Sequence, residues 1–554
     1  MQPLFVTQRL YCSQVIVLFT LSVLALSPWL SFDPFSPIRM LFLSSLSGYF
    51  LLKIYRNWHI YSSVRYKYLR YWSLSWLMVV VLVLINSKTS LMLQVYGTYG
   101  RNIGIITTIS LAIILIGFSL TAEKKHLNQV LLALVIIGGV TIFYGFAQTL
   151  NIGPLQILKE STPASSFFGN INFYSAIVGI CCLALLGFIK ESAESKLLMA
   201  GSFIYITCGV VAIIQSQSQQ GLFVLLIGSG TFALLLLLKK YRFGIKSLLP
   251  LISLFASAGL VIAGFLQKGP LSNLLYQDSI TYRGDYWRSG IRMITDHPFL
   301  GVGHDSFGDY YFRYRDLIAA TRRGPLIFTN SAHNYFIDYA AEGGLILLAL
   351  YIAIIALTVL SYVKIFRREE VLNFKITALL AIWIGFQAQA LISPRQISLL
   401  VIGWAASGLI IGYEISMREV VGAKVNQTQG IPSQRNVSKI SGAIAIMLGA
   451  AISLPHFTSD MQVKSAIRSL NLEKIYASAF RSPQDPNRMV YIANILQAQG
   501  FDQEAIRILE RVVKIAPDNF DAWKLFSLVK TATTEQKSLA TRNMKRLDPN
   551  NPDL

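Results

Sequence analysis

Ser331-Ala332-His333-Asn334-Tyr335-Phe336, running on into the apolar stretch from Ile337 to Leu360, sets the terms on which the whole chain is read. An apolar run longer than the ~18–20 residues needed to cross a bilayer as a helix is a membrane span. At its mouth stands a histidine, the side chain whose ordinary titration suits proton transfer near neutral pH. Residues 267–334, just upstream, are rich in arginine and tyrosine, and arginine's planar fork suits a phosphate-bearing substrate.

The same reading extends to most of the 554 residues. The chain is 53% hydrophobic and 14% charged, against about 25% charged in soluble proteins. Thirteen apolar runs stand at approximately 13–31, 37–55, 71–87, 102–120, 128–149, 172–189, 197–214, 220–238, 247–266, 335–363, 374–393, 398–416 and 439–455. Lipid offers no partner to free backbone groups, so each is expected to be helical. The expected fold is all-α: a polytopic membrane helical bundle of about 13 spans, with a large outer loop and a small soluble helical-repeat domain at the C-terminus.

A formal net charge of +21 would fit nucleic acid, but the positive charges have a simpler explanation. With the N-terminus inside, the loops 56–70, 121–127, 190–196, 239–246, 364–375 and 418–439 hold about four times as many Lys and Arg as the short outer loops. The positive-inside rule accounts for them, and no nucleic-acid partner is expected. Segments 150–171, 215–219, 267–334 and everything after about 456 then face outward. No ATP or nucleotide-sugar is found there, so chemistry must start from a pre-activated donor. Cys12, Cys181, Cys182 and Cys208 lie in or beside apolar runs without metal-ligand spacing and read as small buried hydrophobes.

The expected domain plan is residues 1–70 for the N-terminal spans, 71–416 for a membrane core carrying outer loop 267–334, 417–457 for an inner loop and the last span, and 458–554 for an outer helical-repeat tail. In that tail Met489, Ile492, Ala493, Leu496, Gly500, Ala505, Leu509 and Pro517 stand at tetratricopeptide-like spacing. Such helix pairs stack and offer a concave face to a partner; a plain helical cap is the alternative.

Loop 267–334 is too long to be a mere connector. It holds Tyr282-Arg283-Gly284-Asp285-Tyr286-Trp287-Arg288, Arg292, His297-Pro298-Phe299-Leu300-Gly301-Val302-Gly303-His304, Tyr310-Tyr311-Phe312-Arg313-Tyr314-Arg315 and Arg322-Arg323 before reaching His333. From Trp287 to Thr295 the pattern predicts a short amphipathic helix, with Arg288 and Arg292 four apart on one face. Ion pairs with nearby aspartates or lipid headgroups would explain any one arginine; as a set before a histidine they read as substrate-binding. For His333 the alternative is a structural histidine at a helix start. Polar residues at a membrane mouth are costly unless used, and Asp338 and Glu342 within two turns could orient the group. Two further outer stretches are polar: Gly169-Asn170-Ile171-Asn172 and Gln215 to Gly221. Asn170, Asn172, Gln219 and Asn334 are the candidate glycan contacts, with helix capping or a solvated hairpin as the alternatives. No metal cluster, Walker loop, dinucleotide-binding glycine loop or nucleophilic serine motif is present, so no metal and no cofactor is expected.

Taken in order, Gly169-Asn170-Ile171-Asn172, the Ser218 to Gly221 turn, Arg283 through Trp287 to His297–Gly303, and Ser331-Ala332-His333-Asn334 with Glu342-Gly343-Gly344 resemble the O-antigen ligase and polymerase superfamily of bacterial membrane glycosyltransferases. The likeness covers roughly 70–415. It implies transfer of a glycan from an undecaprenyl-diphosphate donor to an acceptor hydroxyl at the outer face of the cytoplasmic membrane, without metal or nucleotide. His333 would act on the acceptor's proton; Arg283 and Arg288, with Arg313 or Arg315, would hold the diphosphate. The partners implied are the lipid-linked glycan, membrane lipids and a glycan, lipid or protein acceptor, with a possible protein partner on the tail. The family's usual Ser-Arg-Gly at the second of these places carries Gln219 instead of arginine here. Ligase, polysaccharide polymerase and protein O-oligosaccharyltransferase remain open within the superfamily. A lipid-linked-sugar flippase would favour charge near the span centres, where this chain has little.

Overall fold

The computed structural model describes residues 11–152, 163–241, 278–322, 324–423 and 437–554, with scattered positions between 252 and 272. Its described residues are helical and turn-linked, with no strand. The chain is a multi-pass helical membrane protein. In chain order the main helices are α1 (Tyr11–Leu24), α2 (Ser36–Arg56), α3 (Lys67–Asn86), α4 (Ile105–Ser119), α5 (Lys124–Thr149), α6 (Ile171–Ala184), α7 (Lys196–Gln215), α8 (Gln220–Tyr241), α9 (Asp278–Asp296), α10 (Phe307–Tyr314), α11 (Leu317–Arg322), α12 (Tyr335–Arg368), α13 (Phe374–Ala390), α14 (Ile397–Ala423), α15 (Lys439–Arg468), α16 (Leu472–Ala479), α17 (Pro486–Ala498), α18 (Asp502–Ile515), α19 (Phe520–Leu528) and α20 (Thr534–Leu547).

Among the described residues nine helices are long and apolar enough to cross a membrane. Three shorter apolar helices, at 14–24, 105–119 and 374–390, stand where the first, fourth and eleventh spans are expected. The expected ninth span, 247–266, falls almost wholly outside the described residues. Helix α14 is the central post, buried along its membrane length, and α4 packs directly against it. Gly408 and Gly412 make that approach possible, because a Cβ at either would run into the backbone of Leu115 or Ser119. Small residues at a helix seam are how apolar helices pack closely where lipid supplies no hydrophobic drive. The peripheral α7 and α8 leave most of their apolar surface outward.

The described residues from 278 to 334 form a helical layer at one end of the bundle. Helix α9 is longer than the predicted Trp287–Thr295 helix and packs on the start of α12. The tail begins without a break, since α15 runs through the expected 457/458 boundary as one helix containing Pro455. Helices α17 and α18 pair, as do α19 and α20, around buried Met489, Ile492, Leu509, Val512 and Phe526. The tail then seats on the α9–α11 layer, with Phe312 and Phe520 ring centroids 4.4 Å apart.

Candidate active site at the mouth of the kinked helix

Helix α12 starts at a cap and breaks at a glycine, and both features serve the site. Asn334 Oδ1 accepts from the Phe336 and Ile337 amides at 3.0 and 3.3 Å, so this expected glycan contact is a buried N-cap. At Gly344 the backbone leaves the helix (φ 73°, ψ 176°), a conformation open to glycine. A Cβ there would strike the Phe299 carbonyl, and one at Gly301 would strike Glu342. The kink turns the Ala341 and Glu342 carbonyls toward the Val302 and Gly303 amides, both at 2.9 Å, while Leu345 N donates to Pro298 O at 2.7 Å. The two glycine-bearing sequence motifs are therefore the two halves of one joint.

His333 sits half-buried just before the cap with φ +56°, a backbone conformation that non-glycine residues adopt rarely and at a cost. It is held there from behind. Its amide donates to Ser331 Oγ at 2.9 Å; Ser331 Oγ donates to Asp338 at 2.7 Å, and the Ala332 amide donates to the other Asp338 oxygen at 2.7 Å. The ring Nδ1 lies 3.2 Å from the Ser331 carbonyl. A carbonyl can only accept, so this contact puts the proton on Nδ1 and makes Nε2 the acceptor nitrogen. Tyr286 on α9 packs over the imidazole at 5.2 Å between centroids.

Behind Asp338 stands Arg395, buried to 4% exposure. It ion-pairs with Glu342 and approaches Asp338 at 3.8 Å, and its guanidinium lies over the Tyr339 ring. Glu342 also accepts from the Asp305 amide at 3.0 Å. Reading the sequence missed Arg395. The available signal was an arginine in the short Ser393-Pro394-Arg395 link between two apolar runs, on the same face as His333. His304 is structural: burial pushes its imidazole down to about 4, and the neutral ring bonds the Val80 carbonyl at 2.9 Å.

The expected diphosphate arginines separate. Arg283 lies three residues before Tyr286, on the same face of α9. Burial lowers its guanidinium below the ordinary arginine value, and its buried Nε has no hydrogen-bond partner among the described residues. Arg288 is engaged with Asp285 at 2.5 Å and Asp316 at 2.8 Å, and Arg322 shares Asp285 at 2.7 Å. Arg313 faces the tail and pairs with Asp518 at 3.3 Å. Arg315 turns to the tail. It is fully buried and paired with buried Asp548, and it also donates to the Pro325 and Ile327 carbonyls, so it is committed to the tail.

The second polar group lies across α13. Asn170 caps α6 through the Asn172 amide (2.8 Å), while Asn172 Oδ1 accepts from Ser218 at 2.7 Å. The Gly221 amide donates to Ser175 at 2.7 Å, so the two outer turns form one unit with half-buried Gln219 at its edge. Arg39 braces it by donating to the Phe167 carbonyl at 2.5 Å and lying over Phe168. This unit and the His333 cluster meet the same C-terminal end of α13: Gln220 bonds Gln389, and Tyr335 packs on Phe386. The described residues gather no group of His, Cys, Asp or Glu able to hold a metal.

Residues 203–352 match the family model described as O-Antigen ligase; no curated protein matches the chain. The matched stretch contains Arg283, Arg288, His333, Asp338, Glu342 and the glycine joint, while Arg395 and the Asn170–Asn172 turn lie outside it. The match over residues 203–352 supports placing this multi-pass membrane protein with the O-antigen ligase superfamily.

Proposed function

We propose that the chain is a membrane glycosyltransferase that moves a glycan from an undecaprenyl-diphosphate donor to an acceptor hydroxyl on the outer face of the cytoplasmic membrane. The observation that carries this reading is His333 itself. Lying inside the O-antigen ligase match, it is held at a costly φ by Ser331 and Asp338, which Arg395 backs from outside the match, and Tyr286 on the Arg283 face of α9 packs over its ring.

In this mechanism His333 Nε2 takes the acceptor hydroxyl's proton as the oxygen attacks the anomeric carbon. The bond from that carbon to the diphosphate oxygen breaks, and undecaprenyl diphosphate leaves with the electron pair. Arg283, short of partners, meets the developing charge. Arg288 joins by releasing Asp285 or Asp316, since electrostatic stabilisation counts most where charge appears in the transition state. Arg313 lies further toward the tail and would reach only the distal part of the donor. A lipid core sugar, a growing glycan and a protein hydroxyl are the acceptor classes this arrangement admits, and the tail supports a glycan or protein partner.

The test is transfer by His333→Ala in membranes at matched protein level, following lipid-linked donor and product together. A loss of about 10²–10⁴-fold, the usual worth of a positioned general base, with donor accumulating, is the expected result. Unchanged product would remove His333 from the chemistry. Donor stranded on the inner leaflet would make the protein a flippase.

A further inference from the structure

The seam between the tail and the α9–α11 layer forms a partly open cavity of about 190 Å³. Its lining includes Asp309 and Phe312 from α10, Asn330 from the approach to His333, and Asn487, Val490 and Phe520 from the tail. By water's share of liquid volume, ~30 Å³, it would hold about six waters, which suits one small polar ring and not a drug-sized ligand.

Its chemistry is two-sided. Phe312 and Phe520, packed together at 4.4 Å, give an aromatic floor on which water gains nothing. The rim is polar and incompletely used. Asn330 Oδ1 accepts from Arg101 at 3.1 Å and Asn487 Oδ1 accepts from Asn519 at 2.8 Å. Among the described residues neither amide nitrogen has a bond, nor does the Asp309 carboxyl. These half-buried groups have hydrogen-bonding capacity to spare, so beside the aromatic floor the cavity suits a guest with an apolar face and a ring of hydroxyls. A pyranose has that shape. Asp309, Asp518 and Asp521 cluster around this seam, and burial with their mutual repulsion holds Asp309 up at about 7. An acidic sugar would meet the same repulsion; an uncharged one would not.

We infer that this seam is a binding subsite for one uncharged sugar unit of the glycan being transferred or extended. The inference deepens the transfer reading and rests on it for the ligand being a glycan. Asn330 stands three residues before His333, so their Cα atoms are at most about 11 Å apart at ~3.6 Å per residue, a reach that a short oligosaccharide covers. The subsite is completed only by the tail, which supplies Asn487, Val490 and Phe520. This gives the tail a part in choosing the glycan.

The test uses the full chain in nanodiscs and saturation-transfer NMR with methyl glycosides of glucose, galactose, mannose, N-acetylglucosamine and glucuronic acid. At least one neutral glycoside should bind, glucuronate should not, and Val490→Phe, which fills the cavity, should weaken binding about tenfold, equivalent to ~1.4 kcal/mol. Asn487→Ala, which removes one amide donor without adding bulk, should weaken it in the same direction. Both variants are compared at unchanged thermal midpoint. Binding of no neutral glycoside, preference for glucuronate, or binding indifferent to both variants would overturn the subsite. His333→Ala should retain binding while losing transfer. If transfer survived in His333→Ala while Val490→Phe still abolished binding, the mechanism would fail and the subsite would stand.

Discussion

Two joints hold the 278–334 layer, and each is built on a buried arginine. At the tail joint Arg315 meets Asp548 at 3.0 and 2.5 Å and spends its other donors on carbonyls; no buried atom of either side chain is left without a bond. At the membrane joint Arg395 serves two acids, Asp338 and Glu342. There Arg395 Nε and Glu342 Oε1 are buried without hydrogen bonds among the described residues. A fully satisfied buried network makes a rigid connection, whereas unmet polar capacity in a low-dielectric site carries a cost. The satisfied joint is a fastening. The unsatisfied one, which also carries a left-handed histidine, keeps polar capacity unmet beside the candidate site.

The sharpest way to break this contrast is Arg395→Met. It strands two buried carboxylates, and losing one partner of a buried pair typically costs about 3–5 kcal/mol. The thermal midpoint of the whole membrane bundle should fall and transfer should fall with it. An unshifted midpoint would mean that Asp338 and Glu342 do not depend on Arg395. Arg315→Met strands a single carboxylate at the end of the chain, so a loss nearer ~3 kcal/mol is expected, confined to the tail. Limited proteolysis should then cut the tail while the bundle's midpoint holds; a shared loss of both would merge the two joints into one cooperative unit.

Asp309→Asn is the smallest change and tests the seam's charge. Desolvation first, then Asp518, Asp485 and Asp521, raise the Asp309 carboxyl to about 7 from an ordinary 3.8. Its folded value lies above its unfolded one, so its stabilising contribution is complete below about pH 4 and is lost as pH rises through 7. The variant does not titrate. Relative to wild type its thermal midpoint should rise steadily between pH 4 and 7 and level off above. A constant difference across that range would show that Asp309 is not held neutral.

The sequence by itself determined the class of the molecule. Long apolar runs force membrane helices because lipid leaves backbone groups no other partner, and among the described residues nine such helices with three shorter ones stand at twelve of the thirteen runs. Glycine-bearing motifs and a histidine at the mouth of a span drew attention to the right stretch, since short motifs keep their residues together in any fold. Which arginine is spare was a different matter. Arg283, Arg288, Arg313 and Arg315 look alike along the chain, and only the positions of Asp285, Asp316, Asp518 and Asp548 distinguish them. Asn170 and Asn334 could equally have bound sugar or capped a helix, and the structure uses both as caps. Arg395 became visible only when α14's approach was folded against α12, and the sugar-sized seam only when the tail closed on the layer. Local chemistry is written in sequence because covalent neighbours carry it. Partnership between distant charges is decided by packing, which brings residue 315 to residue 548 and, among the described residues, gives residue 283 no ion pair.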